Sequence, residues 1–155
     1  MIEYSKTQKD GKLMTRITTQ SALQQAFDIR RRVFIEEQHV PEAIEFDQYD
    51  RLDADCLHVL IHHNSVPAAT GRVRFIDQSA KLERICVLKP YRQYGLGKRV
   101  IAALEAMAIE KKVSQCLLHG QTHAIPFYER LGYKVVSEVF IEDGIPHVEM
   151  VKQML

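Results

Sequence analysis

The sequence predicts a mixed α/β domain in which helices pack on a mostly antiparallel sheet. Three observations predict this fold class: segments with helical spacing of apolar residues, three consecutive strand-like segments with short connections, and further strands that alternate with helices toward the C-terminus. A chain of 155 residues is long enough to bury one sizeable core. No repeat or Pro/Gly/Ser-rich linker divides it, so we expect one domain over residues 1–155.

The N-terminal third combines a polar segment, a helix and an acidic stretch. Residues 1–14 are polar and predict a loose arm or an additional first strand. Residues 21–37 have apolar side chains at helical spacing, and Ser21 with Gln24 predicts a capping box at the start of this helix. The stretch 36–55 is acidic and irregular.

Three strands follow in the middle of the chain, over residues 56–62, 69–76 and 81–88. The connections "HNSVP" and "DQSA" contain turn-forming residues and are too short for a crossover between parallel strands. These segments therefore predict an antiparallel meander.

The C-terminal part predicts two helices and three strands. Pro126 suits the first turn of a short helix, and Gly132 suits its end. The last two strands are close enough in sequence to form a hairpin. In order, the predicted elements are a long helix after the glycines of "YRQYGLG", a strand at 114–120, a helix at about 124–131, and strands at 133–141 and 147–154.

The composition is that of an average soluble globular protein, with 46% hydrophobic and 26% charged residues. The formal net charge of +1 gives no general attraction to nucleic acid or to an anionic membrane, so we expect neither partner. No apolar run approaches the ~20 residues of a membrane-spanning helix, and the N-terminus lacks the pattern of a secretory signal. Three widely spaced cysteines predict reduced thiols. We therefore expect a cytoplasmic protein.

The segment "YRQYGLGKRVIAAL", residues 91–104, joins two glycines to an amphipathic helix. The first N–H groups of a helix have no partner within it and bear partial positive charge. Gly95 and Gly97 would let an anion approach this backbone closely, and Arg92 and Lys98 add positive charge. The segment therefore predicts a pyrophosphate site, although two glycines before a helix are also typical of an ordinary turn.

Two motifs resemble those of a known superfamily. Arg92-x-x-Gly95-x-Gly97 resembles the R/Q-x-x-G-x-G/A signature of the GNAT superfamily, the acyl-CoA-dependent N-acetyltransferases. The segment "AIPFYERLGYKVV" resembles the superfamily's "FYxxxGF" motif, with Gly132-Tyr133 in place of Gly-Phe. The segments "VFIEEQ", "EFDQYD" and "GIPHVEM" are similar to its small bacterial ElaA/YjcF-like branch. The resemblance covers nearly the whole chain from Thr15.

The resemblance implies a GNAT-like fold, with a central, mostly antiparallel, twisted sheet of six to seven strands that is splayed in the middle and flanked by about four helices. It also implies direct transfer of an acetyl group from acetyl-CoA to a primary amine. Coenzyme A would lie in the gap between the strand before the glycine loop and the strand after the long helix. The implied coenzyme contacts are Ile85, Cys86, Val87, Arg92, Gln93, Tyr94, Gly95, Leu96, Gly97, Lys98 and Phe127.

Direct transfer needs a proton acceptor for the amine and a proton donor for the departing thiolate. Tyr128 matches the superfamily's tyrosine acid, since a phenol with a pKa of ~10 is protonated at neutral pH. Glu83 is the first candidate for the base, because strand alternation would place it on one face with Ile85 and Val87. An ion pair between Glu83 and a neighbouring arginine is an equal alternative. His119, His123 and His147 are further candidates for the base.

The acceptor side of the site is less defined. The acidic residues Glu45, Asp47 and Asp50 would attract a cationic amine to the mouth of the cleft, and His119 and His147 would face the substrate. His119 and His123 lack a third and a fourth metal ligand, so we expect no metal.

Two other functions remain open. "RRRVFIEEQ…EFDQYD" also resembles acyl-homoserine lactone synthases, although that family normally has a tryptophan just after its "VF" helix and this chain has none. A non-catalytic domain that binds acyl-CoA and regulates a partner would share the fold without the reaction. A homodimer is the default expectation for oligomeric state.

Overall fold

The computed structural model describes residues 6–9 and 12–155, with side chains from Leu13 onward. The strands are β1 Lys6–Lys9, β2 Lys12–Arg16, β3 Leu57–His63, β4 Val66–Ile76, β5 Ser79–Val87, β6 Gln115–Gln121, β7 Lys134–Val135, β8 Phe140–Glu142 and β9 Ile145–Gln153. The α-helices are α1 Gln20–Arg30, α2 Glu42–Glu45, α3 Leu96–Glu110 and α4 Ile125–Arg130. A π-helix, Arg31–Glu37, continues α1, and 3₁₀ turns at Lys89–Tyr94 and Thr122–Ala124 precede α3 and α4.

The strands form one sheet in the order β1-β2-β3-β4-β5-β6-β9-β7, with β8 paired to β9. Every pair is antiparallel except β5 with β6. The predicted mixed α/β class, the meander of β3, β4 and β5, and the closing hairpin are therefore confirmed.

The described residues contain nine strands instead of the six to seven expected. The polar N-terminal segment supplies two of them as a hairpin, while residues 1–5 and 10–11 lie outside the described residues. The predicted strand 133–141 is also divided in two, because β7 and β8 pair with different parts of β9.

The helix predicted at 21–37 is continuous but changes its form. Thr19 is its N-cap and its side-chain oxygen accepts a hydrogen bond from the Ala22 N–H, so the prediction of Ser21 as the cap is wrong by two residues. Beyond Arg30 the helix widens into the π-helix, a form that is rare in proteins and frequent at functional sites.

The sheet is covered on both faces. On one face the apolar side of α3 packs on the strands with Val100, Ile101 and Leu104 buried. On the other face α1 and the π-helix pack on a smaller cluster that includes Ile29 and Val33. We refer to these as the α3 face and the α1 face. Within the described residues, no helix is long and apolar enough to cross a membrane.

Candidate active site

A cavity of about 410 Å³ opens where β5 and β6 separate. The two strands pair only from Ser79 with Gln115 to Leu82 with Leu118. Further along, β5 stays paired with β4 and β6 stays paired with β9, so each strand follows a different neighbour. We call this cavity the β5–β6 slot. Its walls are Val33, Phe34, Gln38, Leu82, Arg84, Ile85, Cys86, Val87, Arg92, Gly95, Gly97, Lys98, Leu118, His119, Gln121, His123, Ala124, Phe127, Tyr128 and His147.

A β-bulge lies in β5 beside the slot. Arg84 has a φ of 56°, and the pairing with β4 shifts register between Thr70 and Arg72. Leu82 and Ile85, three residues apart, therefore both pack toward α3. The expected alternation fails at this point, and Glu83 does not share a face with Ile85 and Val87.

Glu83 lies outside the walls of the slot, among cations. Its carboxylate accepts hydrogen bonds from Arg72 Nε at 3.0 Å and Arg74 Nε at 3.0 Å, and it lies 3.3 Å from Lys81 Nζ. Burial alone would raise the pKa of Glu83, but the hydrogen bond from Arg74 and the surrounding positive charges lower it to about 2. Such a carboxylate is a poor proton acceptor at neutral pH. The structure shows the ion-pair alternative and not the predicted base.

The acidic stretch also forms ion pairs instead of an open, negatively charged cleft mouth. Asp50 is bound by Arg30 at 2.6 Å and by Arg72 at 2.9 Å, and Asp47 is bound by Arg72 at 2.9 Å. Glu45 is 3.0 Å from Arg30. None of these three carboxylates lines the slot, and their pairing with arginines leaves less negative charge for a cationic amine than the sequence alone suggests.

The glycine loop forms the other end of the slot. Gly95 has a φ of 72°, the left-handed conformation that favours glycine, and α3 starts directly after it. The first helical hydrogen bond is from the Arg99 N–H to the Gly95 carbonyl, so the N–H groups of Leu96, Gly97 and Lys98 precede it. No described side chain caps them. This helix end therefore offers unpaired donors and partial positive charge to an anion.

Gly97 is in close contact with an aromatic ring. A Cβ at this position would lie 3.3 Å from Cζ of Phe127 and 3.9 Å from Cγ2 of Val87. Both neighbours line the slot, as does Gly97 itself. A branched side chain at residue 97 would therefore enter space that the slot needs.

Arg92 fixes the loop to its surroundings. Its Nε donates to the Val87 carbonyl at 2.9 Å, and its two terminal nitrogens donate to the Glu37 carboxylate at 2.6 and 2.7 Å. Three other predicted coenzyme contacts, Gln93, Tyr94 and Leu96, have side chains outside the slot walls. Leu96 is buried in the core, and the ring of Tyr94 stacks on His63.

Tyr128 lies in the wall of the slot on the α3 face. Its ring would be 3.1 Å from a Cβ on Gly120 and stacks edge-on against Phe127. Burial raises the pKa of Tyr128 to about 12, so its phenol keeps its proton at neutral pH. Cys86 is buried in the opposite wall, and burial raises the pKa of its thiol far above neutral. Cys86 is therefore a neutral thiol and not a reactive thiolate.

Two histidines near the point where β5 and β6 separate each have a hydrogen-bond partner for one ring nitrogen. His119 Nδ1 lies 2.7 Å from Oε1 of Glu142, and His147 Nδ1 lies 2.7 Å from the Ile145 carbonyl. The ring of Phe140 contacts both imidazoles. Sequence reasoning selected both histidines but missed Glu142, because nothing in the sequence shows that it pairs with a residue 23 positions earlier.

Other slot residues were also missed. Phe34 and Gln38 reach the slot from the π-helix and the residue after it, and Gln121 donates to Gln38 at 2.9 Å. Arg84 lines the slot from the bulge and donates to the Glu45 carbonyl. A π-helix and a bulge leave no clear pattern in a single sequence.

Comparisons with known proteins agree with this architecture. A family model described as an acetyltransferase (GNAT) domain matches residues 12–154. YyaT of Bacillus subtilis, described as uncharacterised, is 55% identical over 139 residues, which are 90% of this chain and 94% of YyaT. The uncharacterised N-acetyltransferase YjcF of the same organism is 42% identical over 131 residues, 84% of this chain and 91% of YjcF.

A solved structure is also similar. The crystal structure of Escherichia coli ElaA superposes with a TM-score of 0.76 at 27% identity, over 86% of this chain and 91% of ElaA. The family model spans nearly all described residues, and the glycine loop and the Phe127-Tyr128 pair that suggested the resemblance both line the slot. The chain therefore belongs to the GNAT acetyltransferase family.

Proposed function

We propose that this protein transfers an acetyl group from acetyl-CoA to a primary amine, with both substrates in the β5–β6 slot. The observation that supports this most strongly is the uncapped N-terminus of α3 at one end of a cavity between two diverging strands. Family membership makes acetyl transfer the general activity, and the primary amine is the acceptor that the resemblance implies.

The slot offers backbone donors and an unpaired strand edge that suit coenzyme A. The N–H groups of Leu96, Gly97 and Lys98 would bind the pyrophosphate, and the Lys98 side chain lines the same wall. Past Leu82, the edge of β5 that faces β6 has no partner strand in the described residues. Its backbone groups near Ile85, Cys86 and Val87 would face the pantetheine arm, with the Val87 carbonyl already accepting one hydrogen bond from Arg92 Nε.

Tyr128 is the proposed proton donor. Acetyl-CoA supplies a thioester, whose C–S bond breaks when the amine attacks the carbonyl carbon. Tyr128 Oη holds a proton at neutral pH and has no hydrogen-bond partner among the described residues, so it is free to protonate the departing sulfur. Tyr128 packs against Phe127, whose ring contacts Gly97, and this supports a position on the coenzyme side of the slot.

A thiol-release assay tests the proposed function. Acetyl-CoA is incubated with four acceptor probes: spermidine, glucosamine, free amino acids and a lysine-containing peptide. We expect free thiol to form with at least one of them, together with a product heavier by one acetyl group. Coenzyme A that binds in calorimetry, without turnover on any probe, would instead support a non-catalytic acyl-CoA sensor.

A further inference from the structure

His119 and Glu142 form a hydrogen-bonded pair at the edge of the slot. The Nδ1 of His119 is 2.7 Å from Oε1 of Glu142, and both side chains are partly exposed. The ring of Phe140 stands edge-on to the imidazole at 5.1 Å. With Nδ1–H donated to the carboxylate, the neutral ring has its lone pair on Nε2. Glu142 and Phe140 together fix the tautomer and the orientation of the ring.

His119 and Tyr128 lie on opposite faces of the sheet. On β6, Cys116 and Leu118 belong to the core on the α3 face, and Gly120 contacts the Tyr128 ring on that face. Side chains alternate along a strand, so His119 points to the α1 face. Both His119 and Tyr128 nevertheless line the slot, because the sheet is open where β5 leaves β6.

The α1 face of the slot carries polar side chains from β6, from β9 and from the residue after the π-helix. Gln121, two residues beyond His119, donates to Gln38 at the end of the π-helix. His147 is the direct cross-strand partner of Gln121. The glycine loop, Lys98 and Phe127 lie on the α3 side. An acceptor that enters from the α1 face would therefore meet His119 before it reaches the thioester.

We propose that His119 is the general base of the reaction and that Glu142 is its positioning residue; this rests on the proposed acetyl transfer. His119 Nε2 takes the proton from the amine as the amine nitrogen forms its bond to the acetyl carbon. The C–S bond breaks, and Tyr128 Oη gives its proton to the sulfur. One proton therefore enters the protein on the α1 face and another leaves it on the α3 face.

His119 is better placed for this role than the other histidines. His147 donates Nδ1–H to a backbone carbonyl, so it has no carboxylate partner as His119 has. His123 bonds the side-chain oxygen of Gln121 and is exposed. Among other charged groups, Arg84 lines the same slot and Glu149 is the cross-strand partner of His119 on β9.

Nitrogen-detected NMR of the histidine rings tests the geometry without any turnover. In the free wild-type protein at neutral to alkaline pH, we expect His119 in the Nδ1–H tautomer. In Glu142→Leu this signal should be lost, because the acceptor for Nδ1–H is removed. Glu138→Leu is the matched control: Glu138 is exposed in the same segment and its side chain makes no hydrogen bond among the described residues. An Nε2–H tautomer in the wild type would overturn the proposal.

Kinetics with whichever of the four acceptor probes reacts tests the chemistry. We expect His119→Gln to lower kcat about 100-fold or more with little change in the Kd of coenzyme A, and Glu142→Leu to lower kcat less. Full activity in His119→Gln, or a larger loss of kcat in His147→Gln, would overturn the role of His119 as base. Neither result would contradict the proposed acetyl transfer. If the wild-type protein were inactive on all four probes, both the proposed function and the role of His119 as base would be overturned. The tautomer of His119 measured by NMR would still show whether Glu142 orients the ring.

Discussion

At the scale of single residues, the site depends on which polar groups are free and which are already paired. Tyr128 lies in the slot wall against Phe127, and its hydroxyl has no partner among the described residues. Glu83 and Asp50 have several cationic partners each. A group without a protein partner can bind a substrate, whereas Glu83 and Asp50 are held by arginines and stabilise the fold.

Tyr128→Phe tests the role of the phenol. Removal of one oxygen leaves the ring and its contacts with Phe127 in place, so coenzyme A should bind with nearly unchanged Kd. The departing sulfur loses its proton donor, and we expect kcat to fall by about 10²-fold or more. The measurement is thiol release at saturating acetyl-CoA, beside calorimetry with coenzyme A.

Tyr49→Phe is the matched control for this change. Tyr49 lies under the Arg74 guanidinium outside the slot, and its hydroxyl makes no hydrogen bond in the described part of the chain. It should retain full activity. Retention of full kcat in Tyr128→Phe would refute the role of Tyr128 as acid.

Sequence reasoning found the residues whose chemistry is local and missed those whose partners are distant. Gly95, Gly97 and Tyr128 were recognisable from short motifs, and all three line the slot or its loop. The pairing of Asp47 with Arg72 joins positions 25 apart, and a single sequence contains no sign of it. The fold pairs these carboxylates with cations, which weakens the expected attraction of a cationic amine, and a single sequence could not show this pairing.

At the scale of elements, two local irregularities shape the slot. The bulge at Arg84 turns Glu83 away from the α3 face while Ile85 and Val87 remain on it. The π-helix directs Val33 and Phe34 toward the same cavity. The helix predicted at 21–37 and the strand predicted at 81–88 were correct in type and position. Apolar periodicity assumes regular elements, so it could not predict where the side chains at the π-helix and the bulge point.

The divergence of β5 and β6 has an equally simple cause. Their pairing covers only four residues of each strand, whereas the pairings of β4 with β5 and of β6 with β9 are longer. A parallel pair is also slightly less stable per residue than an antiparallel pair. The sheet therefore opens at the one parallel pairing among the described strands.

At the scale of the whole molecule, one buried ion network ties the acidic stretch to the sheet. Arg30 of α1 binds Glu45 and Asp50, and Arg72 of β4 binds Asp50 and Glu83. Both guanidinium groups are almost fully buried. The network holds residues 45–50 against the α1 face, beside the wall that contains Arg84.

Asp50→Asn tests the contribution of this network to stability. Burial alone would raise the pKa of Asp50, but the hydrogen bonds and charge of Arg30 lower it to about 2, below the ~3.9 of an unfolded chain. The ion pairs therefore stabilise the fold above pH ~4, and this contribution is lost as the pH falls toward 2. At pH 7 we expect the free energy of unfolding in urea to drop by about 3–5 kcal/mol, because two buried cations lose a partner.

The difference in unfolding free energy between wild type and Asp50→Asn should shrink as the pH falls from 4 to 2, because the wild-type Asp50 carboxyl then becomes protonated and loses its charge. Asp53→Asn is the control, since Asp53 pairs with Arg51 on the surface and its loss should change the stability little. Equal unfolding free energies of Asp50→Asn and wild type at pH 7 would contradict the assigned role of the network.

Calorimetry with coenzyme A on wild type, Gly97→Val and Ala102→Val tests most directly whether the N-terminus of α3 is the pyrophosphate site. Valine at residue 97 would crowd Phe127 and cover the backbone donors, whereas Ala102 is exposed on the same helix and away from the slot. We predict that wild type and Ala102→Val bind coenzyme A alike and that Gly97→Val binds at least tenfold more weakly. Equal affinity in all three proteins, or no binding to the wild type, would contradict this placement of the coenzyme.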